Sequence, residues 1–142
     1  MNNSRWLSSD GVLLGADFPL PLDDGRAESP GESALRLHWL DAGLPPPEPQ
    51  FGILDDWGHE IYRLDVPLPS GLYAAEYDGE EFHSEPEDIQ HDEERRAWIR
   101  DERGWTIDVF RKDSVYGRNT DIGERLRSGL RRAREARMIW RP

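Results

Sequence analysis

Carboxylates close together in the middle of the chain are the residues best suited to chemistry. Glu76 and Asp78 lie two positions apart in a stretch that predicts a β-strand, so both side chains point to the same face. Asp65 lies in the strand predicted just before, and we expect it to converge with them at one sheet edge. Mg²⁺ and Mn²⁺ prefer oxygen ligands, and Mg²⁺ keeps several waters, so two or three carboxylates are enough. The pattern predicts a Mg²⁺ (or Mn²⁺) site formed by Asp65, Glu76 and Asp78.

A histidine follows these acids at a short distance along the chain. His83 comes five residues after Asp78, just beyond the turn predicted at Gly79. An imidazole there can orient water or transfer a proton near neutral pH. A bound divalent ion stabilises charge on phosphoryl oxygens and lowers the pKa of the attacking water, so the combination predicts phosphodiester hydrolysis. The simpler alternatives are that Asp78 forms a turn before Gly79 and that His83 is a surface loop residue.

The charges of this chain are unevenly distributed. Residues 1–94 contain 22 acidic and four basic residues, whereas residues 95–142 contain 14 basic and seven acidic ones. Ten carboxylates lie between Glu76 and Glu94, and they repel one another unless cations compensate them. This acidic segment predicts a metal site, a surface for a basic protein partner, or only a solvated face. The basic C-terminal third predicts contact with DNA phosphates, or else it only complements the acidic half.

The elements that must position these side chains follow from caps, breakers and periodicity. Ser29 is a suitable helix cap, Pro30 suits the first helical position, and Glu32 stands three residues after the cap. Glycines predict the ends of two helices, at Gly43 and Gly104. The predicted order is an N-terminal arm or irregular segment (1–25), a helix (29–43), a three-stranded meander (51–54, 61–66 and 72–77), a helix (86–103), a fourth strand (105–110) and an amphipathic terminal helix (121–138). This order predicts an α+β fold.

The sequence around these acids resembles a known family. The segments that carry the resemblance are Arg63-Leu64-Asp65, Glu76-Tyr77-Asp78-Gly79-Glu80-Glu81-Phe82-His83, Asp92, Arg95-Arg96 and Gly104-Trp105. They are similar to Vsr-like domains of unknown function in the restriction-endonuclease-like PD-(D/E)XK superfamily, as found in actinobacterial antitoxin-like proteins. The resemblance covers about residues 28–137, and residues 26–142 are expected to form one such domain.

The resemblance implies a restriction-endonuclease-like core, DNA as substrate, and specific roles for the acids. Asp65 and Glu76 would bind the metal, Asp78 would stand at the position usually held by lysine, and His83 would be an auxiliary catalyst. Glu32 would be the acid that the first helix contributes, although it can equally be the capping-box partner of Ser29. The missing lysine departs from the pattern of the superfamily.

Composition limits the remaining functional classes. The chain has no cysteine, which excludes disulfides, thiolate zinc sites and a cysteine nucleophile. It has no apolar run of the roughly 20 residues that span a bilayer and no signal-peptide pattern, so we expect a cytoplasmic protein without membrane contact. The leading prediction is a metal-dependent DNA phosphodiesterase. The alternatives are a catalytically inactive nuclease fold that acts as a DNA-binding or antitoxin-like regulatory module, and an acidic protein-interaction domain.

Overall fold

The computed structural model describes residues 28–79, 86–118 and 121–139. The predicted N-terminal arm, residues 1–25, and the candidate catalyst His83 lie outside these described residues. The elements run in the order α1 (Pro30–Asp41), β1 (Gly52–Leu54), β2 (Glu60–Arg63), β3 (Val66–Leu68), a 3₁₀ turn (Pro69–Gly71), β4 (Tyr73–Asp78), α2 (Pro86–Arg103), β5 (Thr106–Arg111), α3 (Lys112–Tyr116) and α4 (Ile122–Ile139). The α+β class predicted from the sequence is confirmed.

The helix ends follow the local signals closely. Ser29 caps α1 by accepting a hydrogen bond from the backbone of Glu32 (3.2 Å), and the Glu32 carboxylate accepts one from the Ser29 amide (3.3 Å). This reciprocal capping box satisfies two amides that a helix start otherwise leaves unpaired. Gly104 follows α2 with a φ of +78°, a left-handed conformation that glycine adopts without steric cost. Both helices were therefore predicted correctly, within one or two residues.

The predicted strand at residues 61–66 and the predicted three-stranded meander are both wrong, because the chain changes sheet between Arg63 and Val66. Residues up to Arg63 belong to β2, which pairs antiparallel with β1 in a two-stranded hairpin. From Val66 the chain forms β3, which pairs antiparallel with β4 in a separate sheet. Leu64 and Asp65 lie between the two strands. The Asp65 carboxylate accepts a hydrogen bond from the Tyr77 amide (2.9 Å), so a side chain satisfies a backbone donor of β4 at the point where β3 begins.

The second sheet is mixed, with strand order β3-β4-β5. Strand β5 pairs parallel with β4, in a register that places Glu76 opposite Val109 and Asp78 opposite Arg111. A parallel neighbour requires a crossover connection, and α2 lies in that connection. Strand β4 is therefore central, with a neighbour on each side, and it carries two of the predicted site residues.

Both faces of this sheet are covered by apolar side chains. On one face, Tyr73 and Ala75 pack with residues of α1, α3 and α4, including the fully buried Leu35, Trp39 and Leu126. On the other face, Ala74 packs with Ile53, Leu64, Ile99 and Trp105, which come from the β1–β2 hairpin, the link to β3, α2 and the start of β5. Alternation along β4 places Glu76 on this second face, between the hairpin and α2.

Within the part of the chain that the structure describes, no helix is both long enough and apolar enough to cross a bilayer.

Candidate active site

Three separate elements bring carboxylates together beside the central strand. Glu32 comes from the first turn of α1, Asp65 from the link between β2 and β3, and Glu76 from β4. Asp65 follows the last residue of β2 by two positions and precedes Val66, which pairs with Ala75 beside Glu76. These three side chains form what we call the carboxylate cluster. The sequence predicted the convergence of Asp65 with Glu76 and named Glu32 as the helix acid.

Glu76 is the most buried member of the carboxylate cluster, with only 2% of its surface exposed. Its Oε1 accepts hydrogen bonds from the Tyr62 hydroxyl (2.7 Å) and from Arg96 Nε (3.2 Å). Its Oε2 is also buried, and no group of the described residues donates a hydrogen bond to it. Burial raises the pKa of Glu76, while Tyr62 and Arg96 oppose this by stabilising the ionised form. Oε1 thus accepts two hydrogen bonds, and Oε2 meets no donor at hydrogen-bond distance among the described residues, although the Asp65 backbone also lowers the pKa of Glu76.

The negative charges of Glu76 and Glu32 both act on the Asp65 carboxyl group. Burial, together with the negative charges of Glu76 and Glu32, raises the pKa of Asp65 to about 8. Burial also raises the pKa of Glu32, although the Ser29 amide opposes it. Asp65 and Glu32 share a side-chain hydrogen bond in which the protonated Asp65 donates. At neutral pH the carboxylate cluster therefore retains a proton, or it requires a cation in its place.

Tyr62 and Arg96 hold Glu76 in position, and neither was assigned a role by the sequence. Burial, followed by the charge of Glu76, raises the pKa of Tyr62, so its hydroxyl stays protonated and donates. Arg96 extends from α2, with 16% of its side chain exposed. A signal for Arg96 was present, since Arg95 and Arg96 are the first basic residues after the long acidic segment and a buried acid needs a nearby cation. No local pattern marked Tyr62.

Asp78 lies on the same face of β4 as Glu76 but has a different neighbour. Its Oδ2 is 3.8 Å from Nη1 of Arg111, the residue opposite it on β5. Asp78 thus pairs with a cation on β5, two residues after Glu76 on the same strand. Its role as a metal ligand stays a prediction, as does the role of His83 outside the described residues.

The carboxylate cluster is not a complete metal cage. Among residues 28–79, 86–118 and 121–139, no three His, Asp or Glu side chains are arranged so that they ligate one ion together. Mg²⁺ is usually held by one or two carboxylates, with waters and substrate phosphate oxygens completing its coordination. The free Oε2 of Glu76, next to Asp65, fits that incomplete type of site.

Arginines of the basic C-terminal third make several contacts within the chain. Arg132 donates to Asp108 (2.7 Å), and Asp108 also accepts from the Tyr73 hydroxyl (2.8 Å). Arg127 donates to Glu124 (2.9 Å) and to a carbonyl at the end of α1. These contacts favour the alternative that α4 complements acidic groups of its own fold, while the exposed arginine surfaces still carry positive charge.

Comparison with known proteins yields two relatives. No protein-family model matches the chain, and no solved structure matches it. The uncharacterized protein Rv2248 of Mycobacterium tuberculosis strain H37Rv and the uncharacterized protein MT2308 of strain CDC 1551 are each 41% identical to this chain over 124 residues. The matched region covers 87% of this chain and 45% of each relative. The chain thus spans less than half the length of the curated relatives it matches, and the name of neither specifies an activity.

Proposed function

We propose that this chain is a metal-dependent DNA phosphodiesterase with a restriction-endonuclease-like core, acting in the cytoplasm. The observation that carries the proposal is that Glu32 and Glu76, from two different elements, both act on the half-buried Asp65, and that Glu76 itself is buried. Such crowding of carboxylates is costly unless a proton or a cation compensates it. A protein that needed only a stable core would gain from apolar residues at these positions.

Asp65 and Glu76 are the proposed ligands of Mg²⁺ or Mn²⁺. The Oε2 of Glu76 has a lone pair that no described group uses, and the proton held by Asp65 marks a place where positive charge is favoured. When bound, the metal would stabilise charge on the phosphoryl oxygens and lower the pKa of the attacking water. Asp78, two residues after Glu76 on β4, is the proposed third oxygen ligand.

The other residues orient this pair. Glu32 fixes the Asp65 carboxyl through their shared hydrogen bond, and Tyr62 and Arg96 fix Oε1 of Glu76 so that Oε2 remains available. Arg96 also supplies a positive charge beside the strand acids, which the superfamily pattern normally obtains from lysine. In this proposal His83 orients water or transfers a proton. DNA is the proposed substrate, held through the exposed arginines of the C-terminal third.

A second function is favoured by the ion pair between Arg96 and Glu76. This contact already balances the most buried charge of the carboxylate cluster without a metal. The same fold would then serve as a non-catalytic DNA-contacting or antitoxin-like regulatory module. It predicts DNA affinity that falls steeply with salt and does not respond to a chelator.

The test is nicking of supercoiled plasmid DNA with Mg²⁺ or Mn²⁺, with EDTA as the metal-free control. We expect cleavage by the wild type and its loss in Asp65→Asn and in Glu76→Gln. Glu93→Gln is a matched control, since it removes one exposed carboxylate from α2 away from the carboxylate cluster. Equal inactivity of the wild type and both site variants at high protein concentration would refute catalysis. Salt-dependent binding that EDTA does not change would then favour the regulatory module.

A further inference from the structure

A groove lies on the surface between the tip of the β1–β2 hairpin and α2. It encloses about 450 Å³, and its apolar walls are formed by Trp57, Ile61 and Trp98. Trp57 leaves 80% of its surface exposed, which is unusual for so large an apolar side chain. The α2 wall consists of residues spaced three and four positions apart, so they share one helix face. An exposed aromatic groove of this kind marks a binding surface more often than a structural feature.

The polar rim of this groove is mainly acidic. Among the residues that the structure describes, Asp55, Asp56 and Glu94 line it together with one arginine, Arg95. Residues 86–94, which form the first half of α2, contain five carboxylates and no lysine or arginine. Asp55 stays ionised, because the backbone amides of His59 and Trp57 donate to it and lower its pKa. This charge repels phosphate and attracts a cationic group.

The chain itself shows how the end of this groove holds a guanidinium group. Arg103 lies over the ring of Trp98, with its Cζ 4.4 Å from the ring centroid. Its Nη2 also donates to the Asp56 carboxylate (3.0 Å) and to the Leu54 carbonyl (3.1 Å). An aromatic face and an adjacent carboxylate thus already bind one arginine side chain here. Trp57 and Glu94, which both line the groove, provide an aromatic ring and a carboxylate for a second cation.

We infer that the groove binds an arginine-bearing basic segment of a protein partner, with one guanidinium stacked on Trp57 and paired with Glu94. The apolar stems of neighbouring side chains would lie against Ile61 and Trp98. Arginine suits this place better than lysine, because its planar guanidinium stacks on a ring and donates to a carboxylate at the same time. The inference does not depend on the phosphodiesterase proposal, since none of these residues belongs to the carboxylate cluster.

The test is binding of a blocked seven-residue peptide, in which three arginines alternate with glycines, measured by calorimetry. We expect affinity to fall about 3-fold or more in Trp57→Ala, and by a similar factor in Glu94→Gln. Glu93→Gln is the matched control, because Glu93 is also exposed on α2 and the side chain does not line the groove. The same peptide with lysines should bind more weakly. Circular dichroism checks that each variant is folded.

Three results would overturn the inference. The first is equal peptide affinity in Trp57→Ala and the wild type. The second is an equal loss in Glu93→Gln and Glu94→Gln, which would show only general attraction to an acidic surface. The third is binding of a single-stranded oligonucleotide that depends on Trp57, with no binding of the peptide. Plasmid nicking by the same variants separates this test from that of the proposed function, because we expect Trp57→Ala and Glu94→Gln to retain any nicking that the wild type shows.

Discussion

Replacement of Asp65 by asparagine removes the carboxyl group that must bind a proton when the chain folds at neutral pH, and it leaves the hydrogen bonds of this position in place. The asparagine oxygen can accept from the Tyr77 amide, as Asp65 does now. Its amide group can donate to Glu32, where protonated Asp65 donates in the wild type. We therefore expect Asp65→Asn to stabilise the metal-free protein near neutral pH, which is opposite to the usual effect of changing a buried polar residue.

The size of this effect follows from the pKa of Asp65. Its ordinary value is 3.8 and burial beside Glu76 and Glu32 raises it to about 8. At about 1.4 kcal/mol per pKa unit, this difference costs the folded state roughly 4 kcal/mol at pH 7. Because Glu32 and Glu76 remain in the variant, only part of this cost is relieved. We therefore expect Asp65→Asn to raise the free energy of unfolding by about 1–3 kcal/mol, or Tm by about 3–9 °C.

Whether the stability of the protein rises or falls with pH depends on whether the folded or the unfolded state binds the Asp65 proton. Between about pH 4 and pH 8 folded Asp65 is protonated while the unfolded chain has lost that proton, so the folded state binds more protons and loses stability as pH rises. Thermal unfolding in EDTA from pH 5 to pH 8 should therefore show a falling Tm in the wild type and a flatter profile in Asp65→Asn. Asp101→Asn, at an exposed position on α2, controls for loss of charge alone. The crowding of the three acids would be refuted if Tm fell in parallel with pH in the wild type and in Asp65→Asn. It would also be refuted if Asp65→Asn were less stable than the wild type at pH 8.

Three further substitutions test an ion pair of the site, the packing of α4 and the cap of α1. Arg96→Met should destabilise the fold by about 3–5 kcal/mol, measured by urea unfolding, because it leaves the Glu76 charge buried without its ion-pair partner. Addition of Glu76→Gln should restore most of this loss. Additive effects of the two substitutions would contradict this prediction. Gly129→Ala should cost about 1–3 kcal/mol despite its better helix propensity, since the methyl group would overlap the Tyr73 hydroxyl. A gain in Tm for that variant would show that the contact relaxes freely. Ser29→Ala should lower stability by about 1 kcal/mol through loss of the cap of α1, and an unchanged unfolding midpoint would argue against the capping box.

The sequence alone was sufficient for features that depend on neighbouring residues. Ser29, Pro30 and Glu32 defined the start of α1, and Gly104 defined the end of α2, because capping and left-handed backbone are properties of a few adjacent positions. The alternation that placed Glu76 and Asp78 on one face of β4 is equally local. The α+β class followed from the order of these elements.

Only the tertiary structure decided which of these residues meet. Asp65 lies in the link between two sheets, at a break that no local pattern marked, since residues 61–66 have the composition of one strand. The contacts of Tyr62 and Arg96 with Glu76, and the groove beside Trp57, join elements far apart in sequence. Such contacts depend on how α2 crosses between two parallel strands and how the hairpin packs against it. Their energies depend on burial, and burial is a property of the whole fold.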